Sequence, residues 1–231
     1  MSKGFIYSTQ QEMFSKREII GFGDETFYIE EIERNKANKI IVKNHYSHKY
    51  YNATYIHLGV FIDQELVGVL QYGYAMNPAS GSSVVKDTKL DEYLELNRMW
   101  LDDKAPRNSE SKAISYSIKY IHGKFPKVKW IQSFADERCG RFGIVYQAAN
   151  FGFHGEHTAI FWTVGNEVFH NSLMTRNPKL SKSAAYIQAN KELATSTQLR
   201  QFRYLYFIDS REKKNCLLKQ QPYPKHYKEV A

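Results

Sequence analysis

A chain of 231 residues has room for one large domain or two small ones, and none of its apolar runs approaches the roughly twenty residues needed to span a membrane. The formal net charge is +8, which puts a nucleic-acid partner on an equal footing with a plain coat of solvated lysines. Two cysteines, Cys139 and Cys216, make no disulfide framework, and the opening MSKGFIYSTQQEMF lacks the apolar core of a signal peptide, so a reduced, cytoplasmic protein is expected.

Residues 1–25 carry little periodicity and read as an arm or edge hairpin. FYIEEIE (residues 27–33) alternates like a strand. Arg34–Asn44 follows as a helix with Ala37, Ile40 and Ile41 on one face, ending in the polar loop NHYSHKYYNATY. HLGVFI and LVGVLQYGYA, separated only by Asp63–Gln64–Glu65, form the clearest hairpin. The Gly/Ser/Pro-rich loop MNPASGSSVVKD and a short helical turn over residues 87–94 lead to the next strand.

The stretch Glu95–Phe151 then repeats strand, loop, helix and strand within a short span. ELNRMWL is a strand, DDKAPRN a loop, and a helix runs from about Ser109 to Gly123, with Asn108 or Ser109 as N-cap and Gly123 as C-cap. KWIQSFA is a strand apolar enough for burial on both faces, and Arg141–Asn150 is a short helix. That order places two neighbouring strands side by side with a site at their C-terminal ends. FHGEHTAIFWTV is a further strand. Residues 165–200 read as an insertion without strand character holding a helix at Ser183–Ala194, FRYLYFID is the last strand, and residues 210–231 are a basic tail. The fold class is α/β (α+β), a mostly antiparallel mixed sheet flanked by helices.

Several residues stand out chemically. Asp136 ends a buried strand, where it either carries function or caps the next turn. Arg98 sits mid-strand, where a charge is costly unless paired or used, and Glu95 or Asp136 is its candidate partner. Ser109 opens a helix, as a cap or as an oxyanion and phosphate site. Simple alternation puts His154 and His157 on opposite strand faces, and no HxxxH or CxxC spacing marks a metal site. Basic charge interleaved with seventeen tyrosines suits base stacking combined with phosphate contact, although most of these rings belong to the core.

This element order is that of the GNAT acyltransferase fold, and IVYQAANFGF resembles that family's YxxxGF segment. More specifically, His45-Tyr46-Ser47, ELNRMWLDDKAPRNSES, SFADERCGRFGIVYQAANF and YLYFIDSREKK with PYPK resemble the phage Mom family of DNA adenine-modifying proteins, over roughly residues 40–225. The resemblance implies a GNAT-like domain that converts the exocyclic amine of adenine to a carbamoylmethyl derivative and shields phage DNA from restriction, with acetyl-CoA and iron as cofactors. It implies catalytic roles for Asp136, Tyr146, His45, Tyr46 and Ser109, with Asp136 or His45 as base, Ser109 at the oxyanion and Tyr146 protonating the leaving group. His45 and Asp136 would be the iron ligands. Arg98, Arg107, Asn108, Ser109 and Ser111 would bind the donor.

One departure has physical content. Acyltransferases of this fold place glycines in the pyrophosphate turn so that backbone N–H groups approach the phosphates, whereas Glu110 and Lys112 stand at those positions here. The donor is therefore open between acetyl-CoA and glycyl-tRNA. Duplex DNA would present a flipped adenine to Tyr46 or Tyr72, with Tyr50 and Tyr51 also in reach, and its backbone to Lys43, Lys49, Arg211 and Lys213. Two other function classes stay in view: an acyltransferase acting on a small amine or a protein, and a non-catalytic DNA-binding module.

Overall fold

The computed structural model describes residues 4–8, 17–140 and 142–225. Part of the expected N-terminal arm, Arg141 at the start of the expected third helix, and the end of the basic tail lie outside these residues. Ten strands form one sheet: β1 (Gly4–Tyr7), β2 (Ile19–Gly23), β3 (Phe27–Glu31), β4 (Thr54–Ile62), β5 (Glu65–Gly73), β6 (Tyr93–Leu101), β7 (Trp130–Asp136), β8 (Gly152–Val164), β9 (Glu167–His170) and β10 (Thr195–Phe207). Their spatial order is β1-β2-β3-β4-β5-β6-β7-β10-β8-β9. Every neighbouring pair is antiparallel except β6 and β7, which run parallel through Tyr93↔Trp130 to Leu96↔Ser133.

Among the described residues five α-helices complete the fold: α1 (Arg34–Asn44), α2 (Ser109–Lys124), α3 (Ile144–Ala148), α4 (Ser172–Thr175) and α5 (Lys182–Ala189). The sheet is covered on both faces. On one, Ala37 and Ile41 of α1 pack on Val69 and Trp100. On the other, Ala113, Ile114, Ile118 and Ile121 of α2 meet Leu58, Leu70, Leu94 and Ile131 in the main core. Burying side chains of this size contributes about 1.5–3 kcal/mol each, which is what holds the amphipathic helices on the sheet.

Several expectations are corrected. The residues from 165 to 200 do contain strand: β9 occupies Glu167–His170, and β10 begins at Thr195, seven residues before the expected Phe202. Residues 87–92 form turns and loop rather than a helical turn, Tyr93 and Leu94 already belong to β6, and the helical turn of this region is a 3-10 segment over Pro78–Ser83. Gly123 lies inside α2 instead of capping it. A Cβ there would stand 2.5 Å from the ring of Phe5, so the glycine is a notch that receives β1. Asn108 precedes α2 in the left-handed conformation, at φ 70°, and makes no side-chain cap hydrogen bond. The β4–β5 connection is tighter than expected. Asp63 and Gln64 both have positive φ, the requirement of a two-residue hairpin turn whose twist matches the strands.

Two bulges decide which side chains face the helices. On β6, Leu96 pairs with Tyr72 but Arg98 pairs with Gln71, leaving Asn97 as the extra residue. Uninterrupted alternation would turn Arg98 toward the α2 core with Leu94 and Leu96. The bulge instead re-aims it to the face of Glu95. On β8, Gly155 at φ 94° accompanies a second irregularity, where Phe202 pairs with Glu156 and Tyr204 with Phe153. His154 and His157 consequently lie on the same face, contrary to simple alternation. His154 contacts Leu218 and Phe207, while His157 meets Phe134.

Candidate active site

Beyond Leu96 and Ser133 the parallel pairing ends, while β6 continues to Leu101 and β7 to Asp136. The two strands part there, and a cavity of about 730 Å³ opens on the face that carries α1. β6 contributes Glu95, Asn97 and Arg98, and β7 contributes Gln132, Phe134 and Asp136. Gln201 and Arg203 come from β10, His157 and Phe161 from β8, and the loop after α1 closes one side with Tyr46, Lys49 and Tyr51. The period-two geometry of β7 explains the division of labour. Gln132, Phe134 and Asp136 face the cavity, while Ile131 and Ala135 face the core.

Asp136 is 3% exposed and bonded to Arg138 twice through side chains, Nε to Oδ1 at 2.9 Å and Nη2 to Oδ2 at 2.6 Å, with the Arg138 N–H adding a bond to Oδ1 at 3.0 Å. Burial pushes its carboxyl upward, but the Arg138 bonds outweigh that and hold it below the ordinary range. It is thus an ionised anchor and the cap of the next 3-10 turn. The guanidinium of Arg138 lies over the rings of Phe161 at 4.5 Å and Tyr46 at 5.2 Å.

His45 is buried, with its ring 4.2 Å from that of Tyr46. The N–H of Ser47 donates to Nδ1 at 3.1 Å, which leaves the ring proton on Nε2. Burial, followed by the charge of Arg98, drives its pKa down to about 3, so the ring is neutral at neutral pH. The half-exposed Tyr46 has its phenol pushed up by burial and then by Asp136.

Arg98 is held by two carbonyls, Lys49 O at 3.0 Å and Asn97 O at 2.7 Å, and by the face of Tyr51 at 5.8 Å. Neither Glu95 nor Asp136 is its ion-pair partner among the described residues; Asp136 pairs with Arg138 instead. Lys49 bridges to β9 through Val168 O at 2.9 Å and lies 4.7 Å above Phe169.

Glu95 was visible in the sequence only as a partner for Arg98, yet it is the most unusual acid of the cavity. Its carboxylate accepts from Gln132 Nε2 at 2.8 Å and from Asn97 Nδ2 at 2.9 Å. Burial raises its pKa, and the two amides with the charges of Arg98 and Arg203 only partly oppose this. A partly buried carboxyl raised by its surroundings and set in a cavity is a recurrent mark of a functional site.

Other expected site residues are not brought to this cavity. Tyr72 is fully buried and bonds Ser117 Oγ at 2.5 Å, so it is a core residue and no surface for a base. Tyr146 is buried between Phe151 and Tyr204, beside Ser133, with its phenol pushed up to about 12 by burial. Neither lines the cavity. Ser109, Arg107, Asn108 and Ser111 gather at the start of α2, on the opposite face of the sheet. Lys43 lies in the last turn of α1 without lining the cavity. Arg211 pairs with Asp209 in a separate cleft of about 570 Å³, at the N-terminal ends of β6 and β7, and Lys213 lies on the same 3-10 turn as Arg211.

Neither implied cofactor fits the residues present. Both oxygens of Asp136 are bonded to Arg138 and Nδ1 of His45 is bonded to Ser47, so the pair does not fit an iron site. Among the described residues no group of three or more His, Cys, Asp or Glu is placed to hold a metal ion. At the start of α2 the Ser109 N–H donates to Pro106 O and the Lys112 N–H to Asn108 O, with Glu110 in the first turn. These residues do not fit a coenzyme A pyrophosphate.

The chain is similar to known proteins in sequence and in fold. The Mom protein family model matches residues 26–225. The methylcarbamoylase mom of Escherichia phage Mu is 48% identical over 211 residues, covering 90% of this chain and 88% of that protein. Among solved structures, Arabidopsis thaliana NAA60 in complex with acetyl-CoA superposes with a TM-score of 0.50 at 11% identity, covering 79% of this chain and 100% of that one. The ribosomal-protein-S5-alanine acetyltransferase of Vibrio fischeri gives 0.49 at 11% identity, over 83% and 98%. The expected acetyltransferase-like α+β fold is the one observed. No helix among the described residues is long and apolar enough to cross a membrane.

Proposed function

We propose, from the premise that this chain belongs to the Mom protein family, that it is a transferase acting on adenine in DNA. Its product would carry a carbamoylmethyl group on the exocyclic amine and so protect phage DNA from restriction. The observation that carries the reading is the cavity between β6 and β7, which combines aromatic walls, guanidinium groups and a partly buried carboxyl without an ion-pair partner among the described residues. An enzyme that works on the amine of a paired base must extrude it from the stack and hold it between flat side chains. Tyr51, Phe134 and Phe161 are flat and line the cavity, and Lys49 and Tyr46 at its rim suit the DNA backbone and the neighbouring base.

The product constrains the donor. A carbamoylmethyl group joins the adenine nitrogen through its CH₂, whereas acyl transfer joins through a carbonyl. Glycyl transfer resolves this. The glycylated base is an isomer of the carbamoylmethyl one, and its free amine can attack purine carbon six through a five-membered ring and expel the original nitrogen as the amide. Every atom is retained, leaving NH–CH₂–CONH₂ on the ring. A glycyl-tRNA donor is consistent with the absent glycine turn at Arg107–Lys112 and with the net charge of +8.

Nucleosides from the DNA of cells expressing the chain, analysed by mass spectrometry, test the reading. Deoxyadenosine should gain the mass of one glycine less water, and labelled glycine should carry its nitrogen to the position bonded to purine carbon six, with the original adenine nitrogen in the terminal amide. Label entering only from acetate would defeat the glycyl route. DNA left unmodified would defeat the whole reading.

A further inference from the structure

The polar corner around Glu95 is built one-sidedly. Gln132 and Asn97 both spend an N–H on the Glu95 carboxylate, and Asn97 gives a further bond to Tyr74 O at 3.1 Å. Their own oxygens, Gln132 Oε1 and Asn97 Oδ1, are buried with no hydrogen-bond partner. Two orphaned acceptors and a carboxylate thus share one corner of the cavity. Buried acceptors are normally satisfied, so this corner is complementary to a group with two or more N–H donors. Among the described residues no cation contacts Glu95, and the charges of Arg98 and Arg203 that act on it disfavour a strongly cationic ligand, so a neutral amine is preferred.

We propose that Glu95, Gln132 and Asn97 receive the exocyclic amine of the flipped adenine, and that Glu95 removes its proton as the acyl bond forms. This rests on the adenine-transferase reading above. The amine lone pair attacks the ester carbonyl of the donor, forming the C–N bond. The C–O bond to the ribose breaks, and its electron pair leaves on the ribose oxygen. The amine proton passes to Glu95 and from it to that oxygen, so charge and atoms balance. Asp136 cannot take this role while Arg138 occupies both its oxygens. Burial raises the affinity of Glu95 for a proton, which suits a group that must accept one.

A six-oxo purine presents an acceptor where adenine presents donors, so it meets repulsion in this corner. The full-length chain is titrated with 2′-deoxyadenosine and with 2′-deoxyinosine, following the side-chain amide NMR signals of Gln132 and Asn97. Deoxyadenosine should bind at least about tenfold more tightly, as a site built for hydrogen-bond donors rejects a ligand lacking them. Glu95→Gln and Gln132→Met should each shrink that preference to about twofold or less. In turnover, Glu95→Gln should lower kcat by about 100-fold with KM for DNA little changed, and remove the acid limb of the wild-type pH profile. Equal binding of the two nucleosides by the wild type overturns the proposal, as does a preference that survives both substitutions. Wild-type DNA modification is measured in parallel. Its absence would count against the adenine-transferase reading, while the nucleoside preference would still decide the amine site.

Discussion

Arg138 and Asp136 form a two-point grip, at 2.9 and 2.6 Å, in which the acid expected to be the free base is fully engaged. The pair serves the site as a frame: Asp136 fixes Arg138, whose plane lies over Phe161 and Tyr46. Arg138→Met should lower stability by about 2 kcal/mol, the scale of hydrogen bonds to a charged group. It should also loosen Tyr46 and reduce modification. Urea denaturation gives the first quantity; an unchanged midpoint would show that the grip is only ornamental.

His45 predicts how the fold responds to acid. Its pKa falls from 6.5 to about 3 in the folded chain, so between these values the unfolded state binds a proton that the native state does not. Stability contributed by the neutral ring is complete above about pH 6.5 and is lost as pH falls toward 3, by up to about 1.4 kcal/mol per pH unit. Melting curves from pH 7 to pH 4 should show this loss, and His45→Gln should flatten the dependence across that window. Parallel slopes for the two proteins would refute it.

Tyr146 lies outside the cavity, so a leaving-group role is not what its position supports. Tyr146→Phe should keep modification activity within about threefold while costing about 1 kcal/mol from the lost hydroxyl bond beside Ser133. A fall of a hundredfold at unchanged stability would restore the phenol to the chemistry.

Deleting Asn97 removes the β6 bulge, and Arg98 then follows Leu96 directly and keeps the cavity face, so the fold should be retained. Inserting an alanine after Asn97 instead moves Arg98 to the face of Leu94 and Leu96, placing a charge in the α2 core. The expected cost exceeds about 3 kcal/mol, the scale of an uncompensated buried charge, together with loss of activity. Circular dichroism melts of the two variants separate register from side-chain chemistry, and equal midpoints would refute the role given to the bulge.

Much of the fold was legible because its signals are local. The α1 limits, the 63–64 turn and the β7 strand follow from periodicity and turn chemistry. The site was half legible. Asp136, Arg98, His45, Tyr46 and Lys49 do gather at one cavity or beside it, as expected from a strand end and a neighbouring loop. Glu95, Gln132, Phe134 and Arg203 were missed as site residues because they converge only after β6, β7 and β10 pair, and no spacing rule joins residues from separate strands. The two bulges were invisible for a related reason. An extra residue in one strand is defined by its partner, and Asn97 and Gly155 reveal themselves only opposite β5 and β10. Tyr72 misled because a strand tyrosine reads alike whether its hydroxyl meets a ligand or Ser117.

The single parallel pairing has one more consequence. From β1 to β6 the chain lays each strand beside the last, and from β7 onward it builds a second antiparallel block; among the described residues the strand pairing that joins the two is the four-pair register from Tyr93 to Leu96. The sheet is in effect two plates sewn along a short seam, and the cavity starts where the stitching stops. Amide exchange should reveal this arrangement as earlier opening along that seam than within either plate, which would let a substrate widen the cavity without unravelling the framework around it.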